Sequence, residues 1–243
     1  MTLLETFLDQ PAWRIIDHTE FGTNFAALDS FAIDDTLCAA VGANESEAVA
    51  RFWVHDATVV LGIQDSRLPF VSEALAELEG RGYHTLVRSS GGLAVVLDAA
   101  VLNVSLIAPA PDVFGGIDFG YETMWQLVRE MILPFGKGVA TGEIVGSYCP
   151  GRYDLSIGGR KFGGISQRRT RGGMAVQAFL LAAGSGAAWP CRHFCSPQGQ
   201  VRRARRSCAT FMIALTGNGR RPSITRVFAR KRWPPSLNYS RRT

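Results

Sequence analysis

The chain has 243 residues, of which 47% are hydrophobic and 19% charged. That is enough apolar material for a real core in one large α/β domain or two small ones. No apolar run approaches the roughly 18 residues of a membrane span, and the opening MTLLETFLDQPAWRIID lacks the basic n-region and long apolar stretch of a signal peptide, so a cytosolic protein is expected. Five cysteines (Cys38, Cys149, Cys191, Cys195, Cys208) in a chain without a signal argue against a disulfide framework. The formal charge of +5 hides a split. Residues 1–186 hold 13 Lys+Arg and all 21 Asp+Glu, a net of −8, whereas residues 187–243 hold 13 Lys+Arg and no acid.

In chain order, residues 25–42 have helical spacing and a stop at Gly42. Residues 56–64 read as a buried strand ending at Gln64, and residues 71–80 as a helix closed by Gly80. Residues 84–90, 93–98 and 101–108 read as strands, interrupted by Gly91-Gly92 and by a turn near Ala99. Residues 117–136 form a helical pattern with Asp118 near its start. Residues 153–167 read as a hairpin closed by Gly158-Gly159, and residues 174–184 as another strand. Strands and helices mix without regular alternation, so an α+β fold with a mixed or antiparallel sheet is expected.

Two stretches carry candidate chemistry. RSSGGLAVVLDAAVLNVSLI, from Arg88, places adjacent glycines between strands. These either form an ordinary β-turn or let backbone N–H groups approach a ligand carbonyl or phosphate closely. GSYCPGRYDLSIGGRKFGGISQRR, from Gly146, sets Cys149 beside a proline and brings Lys161 after the hairpin turn. Cys149 is either a small buried hydrophobe or a nucleophile, and a nucleophilic thiol needs a cation, a donor or a helix N-terminus nearby. His18, His55 and His84 show no metal-ligand spacing. Cys191, His193 and Cys195 in PCRHFC do not assemble four zinc ligands, so no metal is expected.

WRIID, SFAIDDTLC, VLGIQDSRLPF, the RSSGG and GSYCPG stretches and RGGMAVQ follow one another in one order. Together they resemble the lipoate/octanoate transferase superfamily, whose fold is shared with biotin and lipoate protein ligases, over about residues 12–186. The likeness is greatest to the branch that moves octanoyl from the glycine cleavage H protein to lipoyl domains of 2-oxoacid dehydrogenase subunits. The resemblance implies a ligase-like catalytic domain with a mixed, largely antiparallel sheet and flanking helices. It implies Cys149 as nucleophile through an acyl-thioester, Lys161 as its partner contacting the acyl carbonyl, and no cofactor. Arg88, Ser90, Gly91, Gly92, Asn103, Gly164 and Ser166 are the implied substrate-binding residues. The octanoylated H protein and lipoyl domains are the implied partners of a monomer, with no nucleic acid or membrane. The alternatives are a transferase charged from acyl carrier protein and an ATP-dependent ligase. Ligases of this superfamily typically carry a His-Asp pair where this chain has Leu97-Asp98.

The likeness stops near Gly186, where the acid-free tail begins. Read in one shifted frame, Met212-Ile213 forces Asp, Trp233-Pro234 forces Ala and Asn238-Tyr239 forces Leu. Neighbouring pairs permit helical, acidic strings there. The expectation is a catalytic domain over residues 1–186, incomplete at its C-terminal end, followed by a frameshifted, poorly packing tail over 187–243 and, in the extreme, an inactive product. A basic nucleic-acid arm is the other reading of the tail.

Overall fold

The computed structural model describes residues 3–19, 25–55, 57–110, 116–170 and 172–182. The expected boundary near Gly186, the tail and the PCRHFC stretch lie outside the described residues. The elements are α1 (Leu3–Leu8), β1 (Trp13–His18), α2 (Ala27–Gly42), β2 (Ala48–Trp53), β3 (Thr58–Leu61), α3 (Val71–Gly80), β4 (His84–Val87), β5 (Val95–Leu97), β6 (Val101–Pro109), α4 (Ile117–Ile132), β7 (Ala140–Thr141), β8 (Asp154–Ile157), β9 (Arg160–Thr170) and β10 (Gly173–Leu181). They build an α+β arrangement around two sheets. The larger has the order β1-β2-β6-β10-β9-β8-β7, and the smaller has β4-β3-β5. β1 pairs parallel with β2, and β3 with β4; every other pair is antiparallel.

The large sheet is covered on both faces, and the period-2 alternation of its strands decides which residue meets which cover. Val49, Ile107 and Ala175 pack with Cys38 and Val41 of α2. Their neighbours Ala48, Ala50, Leu106, Met174 and Val176 belong with Met124, Leu127 and Val128 of α4. Strands buried on both sides carry little alternating signal. That is why β2, all six residues of which are buried, is hard to see in AVARFW. Arg51 in its middle reads as a break, yet it is fully buried against Asp34.

Some boundaries differ from the sequence expectation for local reasons. The strand expected to run to Gln64 ends at Leu61, because Asp65 Oδ2 accepts from the Gly62 N–H at 2.8 Å and a 3-10 turn occupies Asp65–Arg67. The helix expected over residues 117–136 leaves α geometry after Ile132. Pro134 sits in a 3-10 turn, and Gly136 closes it at φ 68°. The hairpin turn is where it was expected, with Gly158 and Gly159 at φ 57° and 73°, the left-handed pair that a two-residue turn requires. No helix among the described residues is long and apolar enough to cross a membrane.

Candidate active site

Strand register assembles the site. Trp53 pairs with Asn103, Asn103 with Phe179, Phe179 with Gly164 and Gly164 with Asp154, so one row crosses five strands. The adjacent row on the same face is Arg51, Ser105, Gln177 and Ser166. Above these rows lies a cavity of about 220 Å³. Its apolar wall includes Phe31, Trp53, Val60, Val95, Leu97 and Phe179, and Arg88, Gly91, Gly92, Asn103, Cys149 and Ser166 also line it. Gly164 admits the Phe179 ring, since a Cβ there would lie 2.9 Å from it.

One irregularity brings Lys161 to this row. The β8–β9 ladder pairs Ser156 with Lys161 but Leu155 with Gly163, which leaves Phe162 as an extra residue. In a regular strand Lys161 and Gly164, three apart, face opposite ways. The bulge re-aims the lysine, and its Cε lies 3.8 Å from where a Gly164 Cβ would stand. The ammonium then meets Asp154 Oδ1 at 2.7 Å, with both side chains buried. It also donates to the carbonyls of Tyr148, at 2.9 Å, and of Cys149. Its three protons therefore have three acceptors. The other Asp154 oxygen accepts from Ile144 N at 3.2 Å and Ser147 Oγ at 3.3 Å. The Lys161–Asp154 pair thus fastens the Ile144–Cys149 segment to the sheet. Lys161 lies behind this segment and is not part of the cavity wall. Its three donors are engaged by the loop and by Asp154.

Cys149 is half-buried and has φ 44°, a left-handed backbone that costs a residue with a Cβ on the order of 1–2 kcal/mol. The strain holds the thiol on the cavity wall at a sharp turn. Arg88, buried, lines the same cavity. A Cβ on Gly92 would lie 2.5 Å from Arg88 Nη2 and 3.9 Å from Cys149 Sγ. Only a glycine, here at φ 100°, lets the loop pass over both groups. Arg88 Nη2 donates to the Leu93 carbonyl at 2.9 Å, while its buried Nε has no hydrogen-bond partner among the described residues. Burial pushes the guanidinium below its ordinary range, and the Cys149 sulfur, Asp65 and Tyr121 pull it back, in that order.

Of the other residues implied by the resemblance, Asn103 is buried and donates to the Trp53 carbonyl at 3.3 Å. Ser166 is buried opposite Gln177. Ser90 is buried without reaching the cavity wall, and its Oγ has no partner among the described residues. Residues that the sequence reading did not single out are Asp154, Gln177 and the stacked pair Tyr121 and Tyr153, whose ring centroids are 4.5 Å apart. Asp154 could have been found as the one carboxylate in the GSYCPG stretch. The second row continues into a buried polar cluster shared with α2. Arg51 bonds Asp34 and the Ser30 carbonyl, each at 2.9 Å, and Ser30 Oγ at 2.8 Å. Asp34 Oδ2 accepts from Ser105 at 2.6 Å and Gln177 at 2.7 Å. His55 meets Ser30 Oγ at 2.8 Å, and burial, then Arg51, lowers its pKa to about 4.

This arrangement sets a displayed thiol beside a cation, on an apolar cavity and on a loop latched by a buried ion pair. It suits nucleophilic acyl transfer. The chain is 59% identical over 181 residues to "Octanoyl-[GcvH]:protein N-octanoyltransferase" of Geobacillus kaustophilus, covering 74% of this chain and 64% of that protein. It is 50% identical over 184 residues to "Lipoyl-[GcvH]:protein N-lipoyltransferase" of Listeria monocytogenes, covering 76% and 66%. The chain therefore spans just under two thirds of the length of these curated relatives. Among solved structures, the bipartite lipoate protein ligase of Thermoplasma acidophilum, studied with its E2 lipoyl domain, superposes with a TM-score of 0.60 at 20% identity, covering 90% of this chain and 80% of that one, a likeness of fold alone. The model of the lipoyl protein ligase A/B catalytic domain matches residues 26–209, most of the chain, and the protein belongs to that family.

Proposed function

We propose that the protein moves octanoyl between protein lysines in lipoate assembly, in the cytoplasm. The donor is the octanoylated lysine of the glycine cleavage H protein. The acyl group rests on Cys149 as a thioester and then passes to a lysine on a lipoyl domain of a 2-oxoacid dehydrogenase subunit. The observation that carries this reading is the strained Cys149, at φ 44°, on the wall of an apolar cavity. The identity to protein N-octanoyltransferases supports the choice of acyl group and donor.

In the first half-reaction the Cys149 Sγ–carbonyl bond forms, the amide C–N bond breaks, and the thiol proton ends on the departing lysine nitrogen. In the second, the acceptor amine attacks the thioester, the C–S bond breaks, and an amine proton returns to sulfur. A thiolate serves both steps because it is both nucleophile and leaving group. Burying the seven carbons beyond the carbonyl against Trp53, Val60, Leu97 and Phe179 contributes about 5–6 kcal/mol at about 0.8 kcal/mol per carbon. Lys161 and Asp154 act by holding the loop that carries the sulfur.

Incubation with octanoylated H protein followed by intact-protein mass tests the reading. An octanoyl adduct is expected on the full chain and absent from Cys149→Ala. A folded protein that takes no octanoyl from the H protein, and takes it instead from acyl carrier protein, or from free octanoate with ATP, overturns it.

A further inference from the structure

We propose that the stacked Tyr121–Tyr153 pair walls the mouth of the cavity and makes Cys149 hand its acyl group to an amine rather than to water. The inference rests on the reading of Cys149 as the carrier of an acyl-thioester. Its first basis is where the cavity opens. Of the residues lining it, Trp53, Val60, Val95, Leu97 and Phe179 are buried, whereas Gly91, Gly92, Pro150 and Arg152 are exposed. The mouth therefore lies between the glycine loop and the segment that follows Cys149.

Its second basis is how that segment is held. Tyr153 stacks on Tyr121 of α4, with ring centroids 4.5 Å and planes 14° apart, and both rings line the cavity. The Arg152 guanidinium lies 5.4 Å from the Tyr153 centroid, and its Nη1 meets Asp118 Oδ1 at 3.2 Å. Asp118 and Tyr121, three apart, share one face of α4. Two neighbours just after the sulfur are thus gripped by one helix face. The Arg152 and Asp118 side chains are 75% and 42% exposed, so this grip adds little to stability. What it does is keep two rings against the mouth.

A thioester on Cys149 faces two nucleophiles. A lysine amine gives the amide. With water, the water oxygen bonds the carbonyl carbon, the C–S bond breaks, octanoic acid leaves and a water proton returns to sulfur. Water is in large excess, so transfer requires that the site exclude it. Aromatic rings do so while still accepting a lysine, whose methylene stem packs along apolar surface with the amine at its tip.

The test loads Cys149 of the full chain from octanoylated H protein, removes the donor on an affinity tag, and follows loss of the adduct by intact mass, with and without a lipoyl domain. The wild-type adduct is expected to hydrolyse about tenfold more slowly than S-octanoyl-N-acetylcysteine at the same pH. Tyr153→Ala is expected to speed hydrolysis about tenfold and to lower the yield of octanoyl-lipoyl domain in step, while Tyr153→Phe, which keeps the ring, behaves as wild type. A wild-type adduct that hydrolyses as fast as the free thioester overturns the inference, and this holds even if Tyr153→Ala does not fold. So does a folded Tyr153→Ala protein within twofold of wild type, or a Tyr153→Phe protein as leaky as Tyr153→Ala. A chain that takes no octanoyl on Cys149 sinks the acyl-thioester reading and this inference with it, whereas a loaded chain whose hydrolysis ignores Tyr153 sinks this inference alone.

Discussion

Replacing Asp154 by asparagine keeps the side chain's size and removes only its charge. In the native site one carboxylate oxygen faces the Lys161 ammonium at 2.7 Å, and the other faces Ile144 N and Ser147 Oγ. An amide cannot serve both sides. Either its NH2 faces the ammonium, or it faces the Ile144 N–H, and each choice sets donor against donor. The ammonium is left buried without a counter-charge. Breaking such a pair from one side costs about 3–5 kcal/mol, a large part of the roughly 5–15 kcal/mol that holds a domain together. With a urea dependence of about 2–3 kcal/mol per molar, the unfolding midpoint should fall by about 1–2 M. The control is Asp118→Asn, whose partner Arg152 lies 3.2 Å away on the exposed surface and whose loss should cost no more than about 1 kcal/mol. Asp154→Leu/Lys161→Met removes both charges and should recover most of the stability, yet transfer no octanoyl, because the loop is no longer latched. An Asp154→Asn protein that loses no more stability than Asp118→Asn would refute the latch.

Three further outcomes follow from the geometry. Cys149→Gly should be more stable than Cys149→Ala by about 1 kcal/mol in urea unfolding, since glycine accepts the left-handed φ of 44° and alanine does not; equal stabilities would mean that the turn is not strained. Gly62→Ala would place a Cβ 1.9 Å from the Gly92 carbonyl oxygen. Relieving that overlap should cost about 3 kcal/mol and shift the loop enough to slow alkylation of Cys149, so a variant as stable and reactive as wild type would contradict the packing. His55, lowered to about 4 when folded, binds a proton in the unfolded chain from about pH 6.5 downward but resists it when folded. Its contribution to stability should therefore fall as pH drops from about 6.5 to 4 and change no further below that. His55→Asn should flatten this part of the pH–stability curve, and identical slopes for the two proteins would remove His55 as the cause.

The helices at residues 27–42 and 71–80 were legible because their apolar spacing and stop glycines are local properties, encoded within three or four residues. So was the Gly158-Gly159 hairpin, because two positive φ values in a row are cheap for glycine. Its neighbours left Cys149 as either a buried hydrophobe or a nucleophile, and the resemblance to the transferase superfamily made it the nucleophile candidate. The site's electrostatics did not follow from such rules. Lys161 reaches Asp154 because a bulge at Phe162 turns it onto the other face, and a strand's period cannot announce where it will be broken. Strand pairing lines up Trp53, Asn103, Phe179, Gly164 and Asp154 across five strands, and register between distant segments is set by the packing of α2 and α4 on the two faces of the sheet. β2 was missed for the same reason, since Arg51 looks polar until Asp34 and Ser30 close around it. Sequence by itself determined the local turns, the clearest helices and the nucleophile candidate. Tertiary structure alone decided that Lys161 pairs with Asp154 and which residues share the cavity with Cys149, because charges and contacts act through the few ångströms of space that only the folded chain defines.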